Sequence, residues 1–547
     1  MTFPLPRWSS QVTAPIKQSR TPAMVSPHGI QLAVHLVSSF YGDLCSKVCE
    51  CLLRRGSLTL ANIIRFTELS RENVMNCLRV LIHQNCVQAF AIQQEGAFQE
   101  APKIITNYMA LFDNIIHKMR APKFMQIVSE GPTKNCLQIF EGLIQHGRLS
   151  INQIIDRSRQ IEGSSDPHAV RECFNQLLFA RFVERCPAPE PYLAPPSEEE
   201  AAVIKKRSKF AKVSQPTTEQ RVLEEAAPME SMRFLMEMDD HTENTGKDSA
   251  SSVSVGKKRK SDALRLDDDV LGANREKEVL WRVNFEELVC CLRHKACISY
   301  VKARVGKEAG MVMSAILELS RRSRETRPKA EKTAYHSIND IYDEVIKMED
   351  GVGIDIGRVR ATLEQIGCEP SPTDIDEVYS IDLQRIIEMA QNEEVESLVS
   401  RRYGKEAYRI FRLLSKKGCV IESDKIADTV FVEKKDAVRI LHRLWKDDYL
   451  DMEKISTGGA RQSLFILWKT NKQSLQKHVL DEMYHAALNL RLRIAHELDQ
   501  GKEVLQLPRD RLVGEMGKKH KSLVKVRLIL ESSLINLDDA ILLFHDF

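Results

Sequence analysis

The sequence predicts a mainly α-helical chain in which three-helix units, each closed by a small β-hairpin, recur in tandem ahead of a C-terminal helical hairpin. Three observations predict it. One helix ending is written three times, as "VCECLLRRG" (48–56), "IFEGLIQHG" (139–147) and "IFRLLSKKG" (410–418). Each copy is followed by two further short amphipathic stretches and then a β-rich run. Aromatics make up 6% of the chain while Leu, Ile, Glu, Lys and Arg are plentiful, which favours helices over a β-sandwich.

A chain of 547 residues exceeds a single core and divides into several domains. Residues 1–28 carry Arg7, Lys17 and Arg20 with Pro and Ser but no acidic residue, and read as a disordered leader. Units follow at 29–100 and 101–187. In each, the glycine that ends the repeated helix suits a C-cap at positive φ before a sharp turn. The apolar positions of the next-but-one helix superpose: Val74, Leu78, Leu81 and Val87 on Val170, Phe174, Leu177 and Val183, and again on Ala437, Leu441, Leu444 and Leu450. Offsets of four and three put the first three of each set on one helical face. Ser70 and Asp166 are good N-caps for that helix, and Glu433 stands at the third start.

The hairpins are written out as "CVQAFAIQQEGAF" (86–98) and "YLDMEKISTGGARQSLFILW" (449–468), the second with a Gly-Gly turn. Three helices with a tight turn between the last two, closed by such a hairpin, make a winged-helix domain. Four are expected in tandem. The third, at 276–383, is irregular, and the fourth spans 384–469. Residues 188–275, rich in Pro, Ser, Glu and Lys, lack the apolar surface to order themselves and read as a disordered linker with a basic cluster. From 470 to 547 the chain is helical. Val479, Met483, Ala486, Leu490, Ile494 and Leu498 share one face; Leu523, Leu530, Leu537 and Phe544 repeat every seven residues, with Leu534 and Ile541 between them. With 501–517 as the turn, these segments form a helical hairpin or coiled-coil stalk.

The formal net charge of +3 excludes a histone-like polycation but leaves room for local basic patches. The 13 cysteines include no CxxC pair and mostly follow apolar helical faces, as reduced core cysteines do in a cytosolic or nuclear protein. No apolar run reaches the length of a membrane span. No phosphate-binding loop, zinc-protease helix, nucleophile elbow or kinase set appears, and "GVGIDIG" (351–357) reads as a turn between helices. Catalysis, metals and cofactors therefore have no candidate residues. The run Lys257, Lys258, Arg259 and Lys260 inside the linker suits a nuclear import signal, seconded by "KKRSK" (205–209).

The third helix of a helix-turn-helix enters DNA, so the three can be compared. Glu72, Asn76, Arg79 and His83 in the first unit, and His168, Glu172, Asn175 and Gln176 in the second, are too weakly cationic to neutralise phosphates. Lys435, Arg439, His442 and Lys446 form a continuous cationic stripe in the last. That unit is the candidate DNA contact; the first two suit protein docking.

The chain resembles the winged-helix subunit specific to RNA polymerase III, related to the alpha chain of general transcription factor IIE. "CLLRRGSLTLANIIRFTELSRENVMNCLRVLIHQN" (51–85), "RFVERCP" (181–187) and "RYGKEAYRIFRLL" (402–414) carry the resemblance, which covers about 29–547. Residues 1–28 have no counterpart, and Met24 is an alternative start. The resemblance implies a nuclear, non-catalytic subunit with no active site of its own and no small-molecule substrate. In that family the subunit docks on the clamp of the largest polymerase III subunit, within a trimer with two other specific subunits. It assists promoter opening and the synthesis of transfer RNA, 5S ribosomal RNA and other small RNAs, with possible single-stranded DNA contact. Leu523, Leu530, Leu534, Leu537 and Ile541 would then face a partner along the stalk. A free-standing winged-helix regulator, or a winged-helix scaffold of another assembly, is the alternative.

Overall fold

The computed structural model describes residues 25–94, 103–131, 133–162, 166–194, 217–236, 279–323, 330–348, 351, 353–368, 370–371, 377–457, 463–508 and 513–547. The chain is mainly helical with small sheets. Helix Pro27–Tyr41 comes first, capped by Ser26, whose Oγ accepts from the Gly29 N–H. Residues 25–28 thus begin the folded body rather than ending a leader.

The order helix, short strand, two helices, strand then recurs along the chain. In the first unit it runs Asp43–Arg55, Leu58–Thr59, Leu60–Thr67, Arg71–His83, Val87–Gln94 and Lys103–Ala110. Val87–Gln94 pairs antiparallel with Lys103–Ala110 from Val87↔Ala110 to Gln94↔Lys103. The first unit therefore extends to 110; the boundary expected at 100 falls inside its hairpin, because a ladder needs both strands to satisfy its backbone groups.

The expected local signals hold. Gly56, Gly147 and Gly418 end their helices at φ 81°, 81° and 61°. Gly147 has a second reason to be glycine, since a Cβ there would lie 2.3 Å from the His83 carbonyl oxygen of the first unit. Beside it, buried Arg148 donates from Nε to Asn85 Oδ1 at 2.9 Å. Ser70 and Asp166 cap their helices by accepting from the Asn73 and His168 N–H groups, whereas the Glu433 side chain makes no cap. All twelve superposed apolar residues are buried, each worth about 1.5–3 kcal/mol of transfer free energy for a Leu-sized group.

The second unit is assembled across the linker. Its helices are Leu137–His146, Ile151–Glu162 and Pro167–Phe179. Its sheet places Leu280–Val283 between Leu149–Ser150 and Val183–Arg185, pairing with both. Trp281, 2% exposed, meets Phe174 edge-on at 5.2 Å in this core. The expected unit at 101–187 lacks this middle strand, which lies nearly a hundred residues further on.

The linker is corrected accordingly. Tyr192–Leu193 adds a parallel strand to Val87–Gln94. Helix Thr218–Ala226 opens with a capping box formed by Thr217 and Gln220, and its Val222 is fully buried with Phe90, Met109 and Leu111. Arg233, in the short helix Glu230–Arg233, pairs with Glu184 at 2.6 Å and Glu286 at 3.1 Å. Apolar residues too sparse for a core of their own find one on the first unit.

The third unit consists of Phe285–Arg304, Lys307–Ser323, Ile338–Ile346 and Ile356–Ile366, with His336–Ser337 paired to Val378–Tyr379. Asp355 caps the last of these helices, so the "GVGIDIG" stretch leads into a helix as a turn would. The fourth unit holds Leu383–Tyr403, Lys405–Lys417, Ser423–Val430 and Lys434–Lys446. Ile421–Glu422, Ser463–Lys469 and Asp451–Thr457 form its sheet, in that order. Helices Lys472–Gln500 and Gly514–His545 form the C-terminal hairpin.

Units one and four do not stand apart. Leu36, Val48 and Leu78 belong to one continuous core with Phe411, Leu441 and Trp468. The hairpin base supplies Val479, Met483, Tyr484 and Ile541 to the same core. Ala487 is the buried residue there; Ala486, one position away, faces out.

Candidate nucleic-acid interface

Helix Lys434–Lys446 buries Ala437, Leu441 and Leu444, packs Ile440 at the edge of the core and turns its opposite side outward. Arg443 and Lys446 in its last turn complement the helix dipole. Lys435, Arg439, His442 and Lys446 are all exposed, so the structure brings the predicted stripe together on one face. Its members differ in freedom. Arg439 holds Asp436 one turn back at 3.1 Å, an exposed pair worth little. His442 lies edge-on to buried Trp468 at 5.2 Å and to Trp445 at 6.2 Å, and the Trp468 Nε1–H donates to Ser423 Oγ at 2.8 Å. Among the described residues Lys435 and Lys446 make no ion pair. Arg443 turns the other way, over the Tyr403 ring at 5.0 Å.

Sequence reasoning missed the apolar members of this face. Phe431 occupies the tight turn before the helix, 93% exposed and at φ 57°, a conformation that L side chains rarely adopt. Val438 and Trp445 are 36% and 42% exposed. The spacing 431, 438, 445 is a heptad that points away from the core positions, and that was the available signal. On the wing, Ile455 pairs directly with Phe465, and both are exposed. Cations interleaved with exposed aromatics can track a phosphate backbone and stack unpaired bases.

The other third helices are different surfaces. In the first unit Glu72, Asn76, Arg79 and His83 are exposed, with Arg79 bonded to Asn76. In the second, Glu172, Asn175 and Gln176 line a cavity shared with the third unit.

The hairpin residues are reassigned. Leu534 and Leu537 pack on the common core and Ile541 is fully buried in it. Leu523 closes on Gly501 at the hairpin turn, and Leu523 and Leu530 are half-buried. This stripe is used within the chain, because a seven-residue repeat in an antiparallel hairpin first meets its own partner helix. The exposed apolar residues along the middle of the last helix include Val524 (47%), Leu528 (66%), Ile529 (54%) and Ile535 (48%).

Lys257, Lys258, Arg259 and Lys260, and the 205–209 cluster, lie outside the described residues. All 13 cysteines are free, and seven are buried. Among the described residues no His, Cys, Asp and Glu group could hold a metal ion, and no helix is long and apolar enough to cross a membrane.

Three family models match the chain. The model of RNA polymerase III subunit RPC82 matches 172–354, that of the RPC82 helix-turn-helix domain 31–91, and that of the POLR3C C-terminal winged-helix domain 395–470. The chain is 20% identical to DNA-directed RNA polymerase III subunit rpc3 of Dictyostelium discoideum, over 94% of this chain and 99% of that protein. It is 23% identical to subunit RPC3 of Danio rerio and 22% to that of Homo sapiens, in each case over 87% of this chain and 86% of the relative.

Proposed function

We propose, from the matches to the RNA polymerase III subunit RPC82 and POLR3C family models, that the chain is a non-catalytic subunit of nuclear DNA-directed RNA polymerase III. The observation that carries this is the extent of the match. Relatives named as that subunit align with 87–94% of the chain, so the likeness runs through the tandem units and the hairpin rather than one common winged helix.

Within the polymerase the chain docks on the clamp, alongside two other specific subunits, and assists promoter opening for transfer RNA, 5S ribosomal RNA and other small RNAs. The weakly charged third helices of the first two units favour protein contacts. The exposed hairpin face of Val524, Leu528, Ile529 and Ile535 gives a partner an apolar strip. The stripe of Lys435, Arg439, His442 and Lys446, with Phe431 and Trp445 beside it, contacts DNA through its backbone and unstacked bases, without reading sequence.

The test is depletion and add-back. An extract depleted of this chain loses small-RNA synthesis from polymerase III promoters and regains it when the purified subunit is restored. Undiminished synthesis after complete depletion would refute the assignment.

A further inference from the structure

A concavity of about 890 Å³ lies where the second and third units meet, in the range of small-ligand sites. Helix Pro167–Phe179 forms one wall; Phe285–Arg304 and Lys307–Ser323 form the others. This places it on different helices from the Lys434–Lys446 stripe.

Its chemistry is cationic. Arg181, Arg293, Arg321, Arg322 and Lys332 line it against three glutamates, Glu172, Glu287 and Glu318, and Glu344 reaches in to Arg322 from beside it, so five positive charges face four negative. Part of that set is internally paired. Arg322 reaches Glu318 at 3.3 Å and Glu344 at 3.0 Å, and Arg321 lies 3.9 Å from Glu318. Among the described residues Arg293 has no ion-pair partner. It is 5% exposed, and its buried Nε has no hydrogen-bond partner.

A buried guanidinium with an unmet donor costs several kcal/mol by general estimates, a cost that an anion in the cavity would offset. Burial raises the carboxyl of Glu287 despite the arginines near it. Burial also holds the His294 imidazole neutral, down at about 4.

We propose that this cavity binds a compact phosphate-bearing ligand, with Arg293 as its buried anchor and Arg321 and Arg322 at its wall. The planar guanidinium fork of an arginine matches the oxygens of a phosphate. The same chemistry has two sources, a free phosphorylated small molecule or a phosphate of a nucleic-acid backbone.

The test is isothermal titration of the purified full chain with sodium pyrophosphate. We expect saturable binding that weakens at least tenfold in Arg293→Met, with helicity unchanged. Arg321→Gln, on the wall, weakens it too and covers the case that Arg293→Met misfolds. Arg54→Gln, an exposed change outside both the cavity and the Lys434–Lys446 stripe, leaves it unaltered. Competition by a single-stranded oligonucleotide assigns the site to a backbone phosphate; indifference to it assigns the site to a free ligand. No binding, binding unaltered by both arginine variants, or saturation by an acidic peptide in place of pyrophosphate would each overturn the proposal.

Discussion

Arg120, wholly buried, donates from Nε to Asp538 at 3.1 Å and pairs through Nη1 with Asp546 at 2.6 Å. The segment between the first two units is thereby fastened to the end of the last helix, across 418 residues of sequence. Lys123 reinforces the joint with 2.7 Å contacts to Asp538 and Asp539. Around it, Leu534, Leu537 and Phe544 pack on the common core of units one and four, Leu543 on that of unit three, and Phe547 on those of units two and three. The base of the hairpin is where the units converge.

Replacing Arg120 by Met removes the guanidinium shared by two buried carboxylates and leaves Asp538 to Lys123 and Asp546 to His545. The expected loss is about 3–5 kcal/mol, read from denaturant unfolding. The triple variant with Asp538→Asn and Asp546→Asn recovers much of it. A single-variant loss under 1 kcal/mol would show that the joint does not hold the units.

His545 gives the joint a pH dependence. Burial alone would lower its pKa, but hydrogen bonds to Asp113 and Asp546 raise it from 6.5 to about 9. Since the folded value lies above the unfolded one, this contribution is full below pH 6.5 and is lost as pH rises through 9. Wild type should lose about 3 kcal/mol over that window, and His545→Asn should lose much less. Equal slopes for the two proteins would count against the charged His545. His117 acts in the opposite sense: burial and then Arg120 push it down to about 4, so its contribution is present above pH 6.5 and lost as pH falls toward 4.

The strand beyond the linker is integral to the second unit. Trp281→Ala should cost about 3–5 kcal/mol and speed amide exchange at 183–185. Exchange unaltered at those amides would mean that the strand is dispensable.

Charge reversal at Lys435, Arg439 and Lys446 should weaken DNA binding and lower the salt slope of affinity by about 2. Assembly with partners should be unaffected. An unchanged slope would remove this helix from the DNA interface.

The repeat was legible because its rules are local. Gly56, Gly147 and Gly418 announce helix ends that need positive φ, and the offsets of Val74, Leu78 and Leu81 announce a buried face. What could not be read was pairing at long range. Leu280–Val283 is four residues of strand after a polar stretch, and nothing near it names Val183–Arg185 as its neighbour. Nothing in the sequence around Arg120 names Asp538 and Asp546, more than 400 positions on, as its partners. The hairpin leucines were read as a partner surface because periodicity marks a buried face without saying what buries it. The cationic stripe was visible, while Phe431 and Trp445 were assigned no outward role because apolar residues read as core.

Removing 520–547 would take away Asp538, Ile541 and Asp546 together, so it tests the joint and not a stalk contact. Leu528→Lys with Ile535→Lys separates them. Both residues are exposed, so stability should stay within about 0.5 kcal/mol while incorporation into the complex falls.

The most direct test of the central claim is affinity purification of the tagged full-length chain from nuclear extract, with quantitative mass spectrometry. The account predicts the large subunits of RNA polymerase III in stoichiometric amounts, together with two further specific subunits. Recovery of the chain alone, or in an assembly without polymerase subunits, would contradict it.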